Sequence, residues 1–567
     1  MTRHSSVAAA LLLLAACRPV RPEPATLPAS WPVRAAARAE RAMIASTSAA
    51  ATDAGLAILR RGGNAVDAAV ATGFALAVTY PEAGNLGGGG YMVLRMADGR
   101  AAALDFRETA PAAASRDMYA SGGVDMTGPL AIAVPASVAG LVEAHRRFGT
   151  LPLRDVIAPA VQLADAFVVD TMFHESVRGM QGRITRLGGG AALLPGGAPP
   201  RIGDTLRQPA LARTLRAIGE RGDSAFYHGA LAEAIVASVR GRGGLLAAGD
   251  LASYEPVWRE PLRFSYRGHE VLGMPPSSSG GVTVAETLNL LETYERPAPY
   301  GSVEAIHRLA SAFQLAFVDR NSLLGDPAFV QAPIARLTSK DYAHRLRARI
   351  DPSRAMPPAD AERVVQGARE GSETTHWSVV DAQGNAVGVT TTTNSFFPGA
   401  FVAEGGFFLN NTMDDFATRP GVPNQFGLVQ GEQNAVAPGK RALSAMAPTI
   451  VLGRDGRPLL VVGSRGGPRI ITSVVQVIVN VVDHGMGVAE AIQAPRIHFQ
   501  DRPGQLVMEV AGFGTAAADS LRAMGYDVVA PGAVDLEYLG IPTAVLRVPR
   551  GWAGAVDPKR GWGVAGY

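Results

Sequence analysis

The stretch Thr374 to Asn394 reads TTHWSVVDAQGNAVGVTTTTN. Two runs rich in β-branched residues, 374–381 and 386–394, flank the turn-forming Ala382-Gln383-Gly384-Asn385. That pattern predicts an antiparallel hairpin. The residues before it, 351–373 (DPSRAMPPADAERVVQGAREGSE), are polar and contain proline, and read as a mobile surface segment. A loop running straight into a strand that starts Thr-Thr-His constrains chemistry as well as fold. An alcohol is a weak nucleophile unless a base sits beside it. A threonine at a newly made N-terminus carries its own base, because a free α-amine titrates near neutrality. Cutting Glu373–Thr374 would create that pair, with the strand fixing the side chain. Thr375 is the nearest rival.

The rest of the chain supplies partners for this hairpin. Ala49 to Arg61 has helical spacing and stops at Gly62-Gly63, and a second helix runs from about Asn64, a natural N-cap, to Tyr80. Gly87 to Gly90 lead into a strand and imply close backbone approach. They do not form a phosphate cradle, because no GxGxxG, GKS or GKT accompanies them. Residues 99–107 give another strand, which ends in Asp105-Phe106-Arg107-Glu108 at residue 108. From about 135 to 350 the pattern is mostly helical, broken by polar loops and by MPPSSSGG (Met274 to Gly281). A second hairpin, Thr449 to Leu452 and Leu459 to Gly463, closes on GRDGRP. After Ser464-Arg465-Gly466-Gly467-Pro468 comes Ile470 to Val482, whose Thr472, Ser473, Gln476 and Asn480 mark a buried core helix rather than a membrane span. Helices mixed with antiparallel strand pairs, and no dominant βαβ repeat, predict a layered α+β fold with sheets between helices.

Several functions are excluded. The 53 Lys+Arg and 50 Asp+Glu are interspersed, which leaves no basic stripe for nucleic acid. One Cys rules out a disulfide framework. The ten His show no HExxH or paired metal spacing, so no metal or other cofactor is expected. No GxSxG marks a serine hydrolase. The single Cys has a context of its own. Residues 1–17, MTRHSSVAAALLLLAAC, place a positive start and a ten-residue apolar run (Val7 to Ala16) before Cys17. This resembles a bacterial lipoprotein signal over residues 1–16, with Cys17 as the lipidated residue. An ordinary secretory signal is the alternative, and either exports the chain to the periplasm or an outer-membrane anchor. Residues 17–35 are Pro-rich and read as an extended tether. Membrane contact is expected only through the lipid.

Eight stretches in order resemble the γ-glutamyltranspeptidase (glutathione hydrolase) family of N-terminal-nucleophile hydrolases. They are GGNAVDAAVATGFALAVTYPEAGNLGGGGYM, LDFRETAP, MPPSSSGG, ETTHWSVVD, NNTMDDF, ALSAMAPTI, GSRGGPRI and DPKRGWGVAGY, spread over about residues 40–567. The resemblance implies a four-layer αββα sandwich made by one precursor that cuts itself. A large subunit, 36–373, then stays interlocked with a small catalytic subunit, 374–567, of 567 − 373 = 194 residues. It implies Thr374 as nucleophile for both self-cleavage and catalysis, and small γ-glutamyl amides as substrates. Thr392, on the same strand face as Asn394, matches a residue that positions the nucleophile. Arg107 suits the substrate's α-carboxylate by a two-pronged contact, and Ser444 matches a second carboxylate contact. Asp415 suits the α-ammonium, with Asp414 beside it as alternative. Asn394 matches a further contact to the amino end, and Thr412 stands where the family often has Gln or Glu. Gly466 and Gly467 would offer backbone N–H groups to the developing oxyanion.

Three positions depart from the family pattern. Ala445 follows Ser444 where a second serine is common, so one hydroxyl for the carboxylate is lost. Arg465 precedes the glycine pair and is expected to add a cation at the mouth of the site. Residues 420–434 match a lid loop, in which Phe426 replaces a tyrosine and loses its hydrogen bond. These changes motivate a second donor class, such as a glutaryl-cephalosporin side chain or poly-γ-glutamate. The N-terminal reading has its own consequence. Expressed in a bacterium that processes lipoproteins, the protein is expected to incorporate labelled fatty acid and to partition into detergent. Cys17→Ala should abolish both, and labelling that survives the substitution would contradict the anchor.

Overall fold

The computed structural model describes residue 27 and residues 32–358, 373–531 and 539–567. The signal residues 1–16, Cys17, most of the tether and 359–372 of the polar segment lie outside the described residues. Among the described residues no helix is long and apolar enough to cross a membrane.

The hairpin forms at the expected place. Strand Glu373–Val380 pairs antiparallel with Ala386–Asn394. Asp381 closes the turn by accepting from the Gln383 and Asn385 N–H groups at 3.0 and 2.9 Å, the usual local bonding of an aspartate at a turn. The period of two sorts the side chains onto two faces. Trp377 and Val379 face helix Ala65–Thr79 in one apolar core. The Trp377 indole donates to the Ala69 carbonyl at 2.9 Å, and the side chain is 1% exposed. Truncating so large a buried side chain to alanine costs roughly 3–5 kcal/mol, so this residue is the hairpin's main anchor. Thr374, His376 and Ser378 face the other way, into the gap between two sheets.

Seven strands build the hairpin's sheet, in the order Gly563–Gly566, Met43–Ser46, Glu373–Val380, Ala386–Asn394, Gly89–Arg95, Ala101–Phe106, Val257–Arg259. Seven more build the facing sheet, in the order Ala37–Ala39, Trp552–Val556, Ile541–Arg547, Pro458–Arg465, Thr449–Leu452, His269–Gly273, Leu262–Tyr266. Helices Ala49–Arg60 and Ala65–Thr79 cover the first sheet, and Asn64 caps the second helix in a capping box with Asp67. Helices Gly280–Glu292, Val303–Leu323 and Arg469–Val482 cover the facing sheet. The result is the α+β, four-layer αββα sandwich expected. Both sheets contain strands from before and from after residue 373, so one cut there could not separate the two parts without unfolding them.

The region 135–350 is less purely helical than its pattern suggests. Three strands, Val257–Arg259, Leu262–Tyr266 and His269–Gly273, lie inside it. Val257–Arg259 and Leu262–Tyr266 are edge strands and His269–Gly273 lies just inside one edge, and each is only three to five residues long, too short to stand out in a mostly helical stretch. The glycines at 87–90 are required by packing. A Cβ on Gly88 would sit 2.0 Å from the Thr392 carbonyl oxygen, and one on Gly90 2.3 Å from that of Thr390.

The two sheets touch where Gly463 meets His376. A Cβ there would stand 2.2 Å from His376 Nδ1, and the ring is already fixed by Thr390 Oγ1 and Ser378 Oγ at 2.8 and 3.0 Å. Burial holds this imidazole neutral, with its pKa lowered to about 3. Gly463→Ala is therefore expected to cost about 1–3 kcal/mol, as overpacked cores do, read as a lower denaturation midpoint at unchanged slope. An unchanged midpoint would contradict this contact.

Candidate active site

Thr374 lies at the open end of the gap between the sheets. Its hydroxyl is 3.4 Å from Thr392 Oγ1. Thr392 Oγ1 also accepts the Asn394 N–H at 2.9 Å, so its position is set by backbone. The pairing register slips between Glu373 and Thr374, which leaves Thr393 as the extra residue on the partner strand. Opposite Glu373, Asn394 has φ +77°, a left-handed backbone that asparagine tolerates better than most residues. The Asn394 amide donates to the Asn411 carbonyl at 3.2 Å. Thr375 is turned to the other face, with its hydroxyl 3.3 Å from that of Thr47. The strand alternation thus brings Thr374, and not Thr375, to the cavity.

The cavity is about 30 Å³ and is lined by Thr374, Thr392, Asn394, Asp415, Ser444, Ala445 and Gly467, with Arg320, Phe426 and Gln430 among the rest. This is room for about one or two waters. Residues of the 420–434 segment form one wall, which is held by several bonds. Asn424 Oδ1 accepts the Phe426 and Leu428 N–H groups at 3.0 and 3.1 Å. Gln500 donates to the Phe426 carbonyl at 3.0 Å, and Asn434 donates to the Asp415 carbonyl at 2.8 Å. The Phe426 ring lies so close to Gly467 that a Cβ there would be 2.8 Å from it. The segment thus meets the glycine turn through ring contact. Gly466 and Gly467 have φ +122° and +56°, and among the described residues neither N–H has a partner. Gly467 lines the cavity, while Gly466 packs behind it on Gly540.

Arg107 is fully buried and already engaged. It bonds Asp415, Glu108 at 3.2 Å and the Ala442 carbonyl at 3.2 Å. Burial works against its charge, but Glu108 and Asp415 outweigh that and raise its pKa. Burial pushes the Asp415 carboxyl up, while Arg107 and then Arg320 pull it back. With direct contact to Arg107, the pair stands as two charges. Both candidate grips for a zwitterion thus hold each other, and Asp415 rather than Arg107 forms the cavity wall. Asp414 is not an equivalent alternative. Burial, and then repulsion by Asp415, raise its pKa to about 8, which leaves it protonated at neutrality. Ser444 Oγ accepts the Met446 N–H at 3.1 Å, so its own O–H is still available.

Two expectations are corrected. Arg465 is not at the mouth of the site. It is buried against Tyr80 and Glu82, because a side chain on that strand end points into the gap between layers, where an anion awaits it. Thr412 does not reach the cavity either, since its hydroxyl donates to Glu108 at 2.8 Å. Arg320 was missed. It stands in helix Val303–Leu323 and nothing local marks it apart from other arginines. A larger groove, about 550 Å³, opens at the other end of the strands among the turns 381–384, 455–458 and 548–551. It carries no hydroxyl or thiol, so the chemistry lies in the smaller cavity.

A strand-end threonine between two sheets, with paired charges and a glycine turn around it, defines the class of N-terminal-nucleophile hydrolases. The γ-glutamyltranspeptidase family model matches residues 51–567. The chain is 43% identical to the glutathione hydrolase proenzyme of Escherichia coli K12, over 98% of this chain and 97% of that protein. It is 39% identical to the acylase ACY 1 proenzyme of Pseudomonas sp. SE83, over 87% of this chain and 88% of that one. Among solved structures it resembles a cephalosporin acylase from Bacillus halodurans, with a TM-score of 0.84 and 27% identity, over 95% of this chain and 99% of that one. The chain belongs to the γ-glutamyltranspeptidase family.

The Asp414 shift has a consequence for stability. A carboxyl whose pKa rises from 3.8 unfolded to about 8 folded binds more protons folded than unfolded between those values. Stability is then highest below about 4 for this group and falls as pH rises towards 8. In an uncut Thr374→Ala background, Asp414→Asn is expected to flatten the pH dependence of the unfolding midpoint between about pH 5 and 8. An unchanged slope would contradict the assignment.

Proposed function

We propose that this chain is an exported precursor that cuts itself between Glu373 and Thr374 and then hydrolyses or transfers γ-glutamyl groups, glutathione being one donor. The freed Thr374 α-amine takes the proton from its own hydroxyl, and Oγ1 attacks the γ-carbonyl carbon of the donor. The carbonyl electrons move to oxygen, where the Gly466 and Gly467 N–H groups receive them. Collapse breaks the C–N bond, the amine leaves with the proton, and a γ-glutamyl ester remains on Thr374. Water or the amino group of an amino acid or peptide then attacks the ester and frees Oγ1. Thr392 fixes the nucleophile. Arg107 and Ser444 receive the α-carboxylate, and Asp415 and Asn394 the α-ammonium. Ala445 lines that cavity without helping to hold the carboxylate. No cofactor takes part. Lipidation at Cys17 tethers the product.

One observation carries this reading. Asp415 lines the cavity beside Thr374 and is paired with the buried Arg107, opposite charges that complement an amino-acid zwitterion. The alternative is an acylase for glutaryl-type donors, which keep the carboxylate but lack the ammonium and so have no need of Asp415. Competing γ-glutamyl and glutaryl p-nitroanilides tests the two. Wild type is expected to prefer the γ-glutamyl donor by at least about tenfold. Asp415→Asn should lower kcat/KM for that donor by about a hundredfold, as loss of one buried charge does, while the glutaryl rate falls far less. A preference for glutaryl would favour the acylase instead.

A further inference from the structure

The proposed chemistry needs two parts at a fixed separation, the Thr374 hydroxyl and the N–H groups of Gly466 and Gly467. They belong to different sheets. Thr374 stands at the start of a strand in the hairpin's sheet, and the glycine turn follows strand Pro458–Arg465 of the facing sheet. The exit from the turn is held by helix Arg469–Val482. The Arg469 and Ile470 N–H groups donate to the Gly466 and Gly467 carbonyls, each at 3.1 Å. The entry is Arg465. Two successive glycines at positive φ have little directional preference of their own, so the anchor of Arg465 decides where the turn points.

Arg465 reaches across to Glu82, in the loop after helix Ala65–Thr79. Both side chains are 1% exposed, and Arg465 Nη1 stands 3.5 Å from Glu82 Oε1. The same guanidinium donates to the Tyr80 hydroxyl. Glu82 is itself held from the far side. Arg560 Nη2 bonds its two carboxylate oxygens at 2.6 and 2.7 Å, and the Ser176 hydroxyl donates to one of them. The Glu82 backbone carbonyl accepts the Thr393 hydroxyl at 3.2 Å. Thr393 is the extra residue at the register slip and follows Thr392, whose hydroxyl meets that of Thr374. Glu82 therefore holds the glycine turn through its carboxylate and the strand paired with Thr374 through its carbonyl. A buried ion pair adds little net stability over apolar packing, and fixing register is its best-attested use. We propose that the Glu82–Arg465 pair is a positioning device, which sets the separation between the Thr374 hydroxyl and the Gly466 and Gly467 N–H groups without touching the substrate. This rests on the reaction proposed above and adds the residues that control its oxyanion step.

The test separates the tetrahedral state from the bound donor. The full-length protein is used, and appearance of two fragments reports folding. Arg465→Met is compared with wild type for turnover of L-γ-glutamyl-p-nitroanilide and for inhibition by two ligands. L-Glutamate occupies the site without a tetrahedral centre. L-2-Amino-4-boronobutanoate carries boron in place of the reacting carbon and becomes tetrahedral on bonding Thr374 Oγ1, as a transition-state analogue does. The variant is expected to lose at least about tenfold in kcat and in boronate affinity, the effect of a misplaced oxyanion donor. Its KM and glutamate affinity should stay within about threefold of wild type. Should that variant not mature, Arg465→Lys is measured instead, and the same split is expected at about threefold or more because the fork geometry is lost. A kcat and a boronate affinity within twofold of wild type overturn the inference, and so do equal losses for boronate and glutamate, which a merely structural role would give. Failure of both variants to mature overturns it too, by assigning the pair to the fold alone. Each of these leaves the γ-glutamyl reading intact. A wild type inert towards the γ-glutamyl donor overturns that reading and the inference with it.

Discussion

The buried contact between Arg107 and Asp415 organises the rest of the site. Two charges removed from water are stable only when each finds a partner, and the fold brings these two together from positions 308 residues apart in sequence. Glu108 adds a second carboxylate to Arg107 and takes up the Thr412 hydroxyl. Asn434, within the lid segment, bonds the Asp415 backbone. The pair therefore ties strand end, small-subunit turn and lid into one unit. In the proposed reaction a zwitterionic donor exchanges its own charges for this internal pair. The desolvation of Arg107 and Asp415 has then been met already in folding.

The same logic explains the precursor. The strand of Thr374, the proposed nucleophile, lies inside its sheet and is anchored by Trp377, while the bond before Thr374 sits at a register slip opposite a left-handed asparagine. Irregular backbone held by regular surroundings is where a chain can store reactivity. Because both sheets contain strands from either side of residue 373, a cut there would release an amine at Thr374 without loosening the sandwich.

Much of this was legible in the sequence, for identifiable reasons. The hairpin at 374–394, the capped helix after Asn64 and the core helix near 470 rest on local pattern, and each appears within a residue or two of its expected bounds. Thr374, Thr392, Asn394, Asp415, Ser444 and Gly467 meet at one cavity because their motifs are short and rigid. What sequence could not show was direction. Arg465 looked like a cation for substrate, yet Glu82 and Tyr80, far away in the chain, claim it. Thr412 is spent on Glu108 for the same reason. Arg320 carries no motif, and only the packing of its helix against Ser279 gives it a place. The strands at 257–273 were hidden because each is only three to five residues long.

The central claim is that Thr374 becomes an N-terminal nucleophile. Intact mass and N-terminal sequencing of the purified protein test it most directly. The account predicts two fragments that stay associated, the smaller of 194 residues beginning at Thr374, and a Thr374→Ala protein that remains one chain. A wild-type chain that stays whole for days, or a fragment that begins at Thr375, would contradict it.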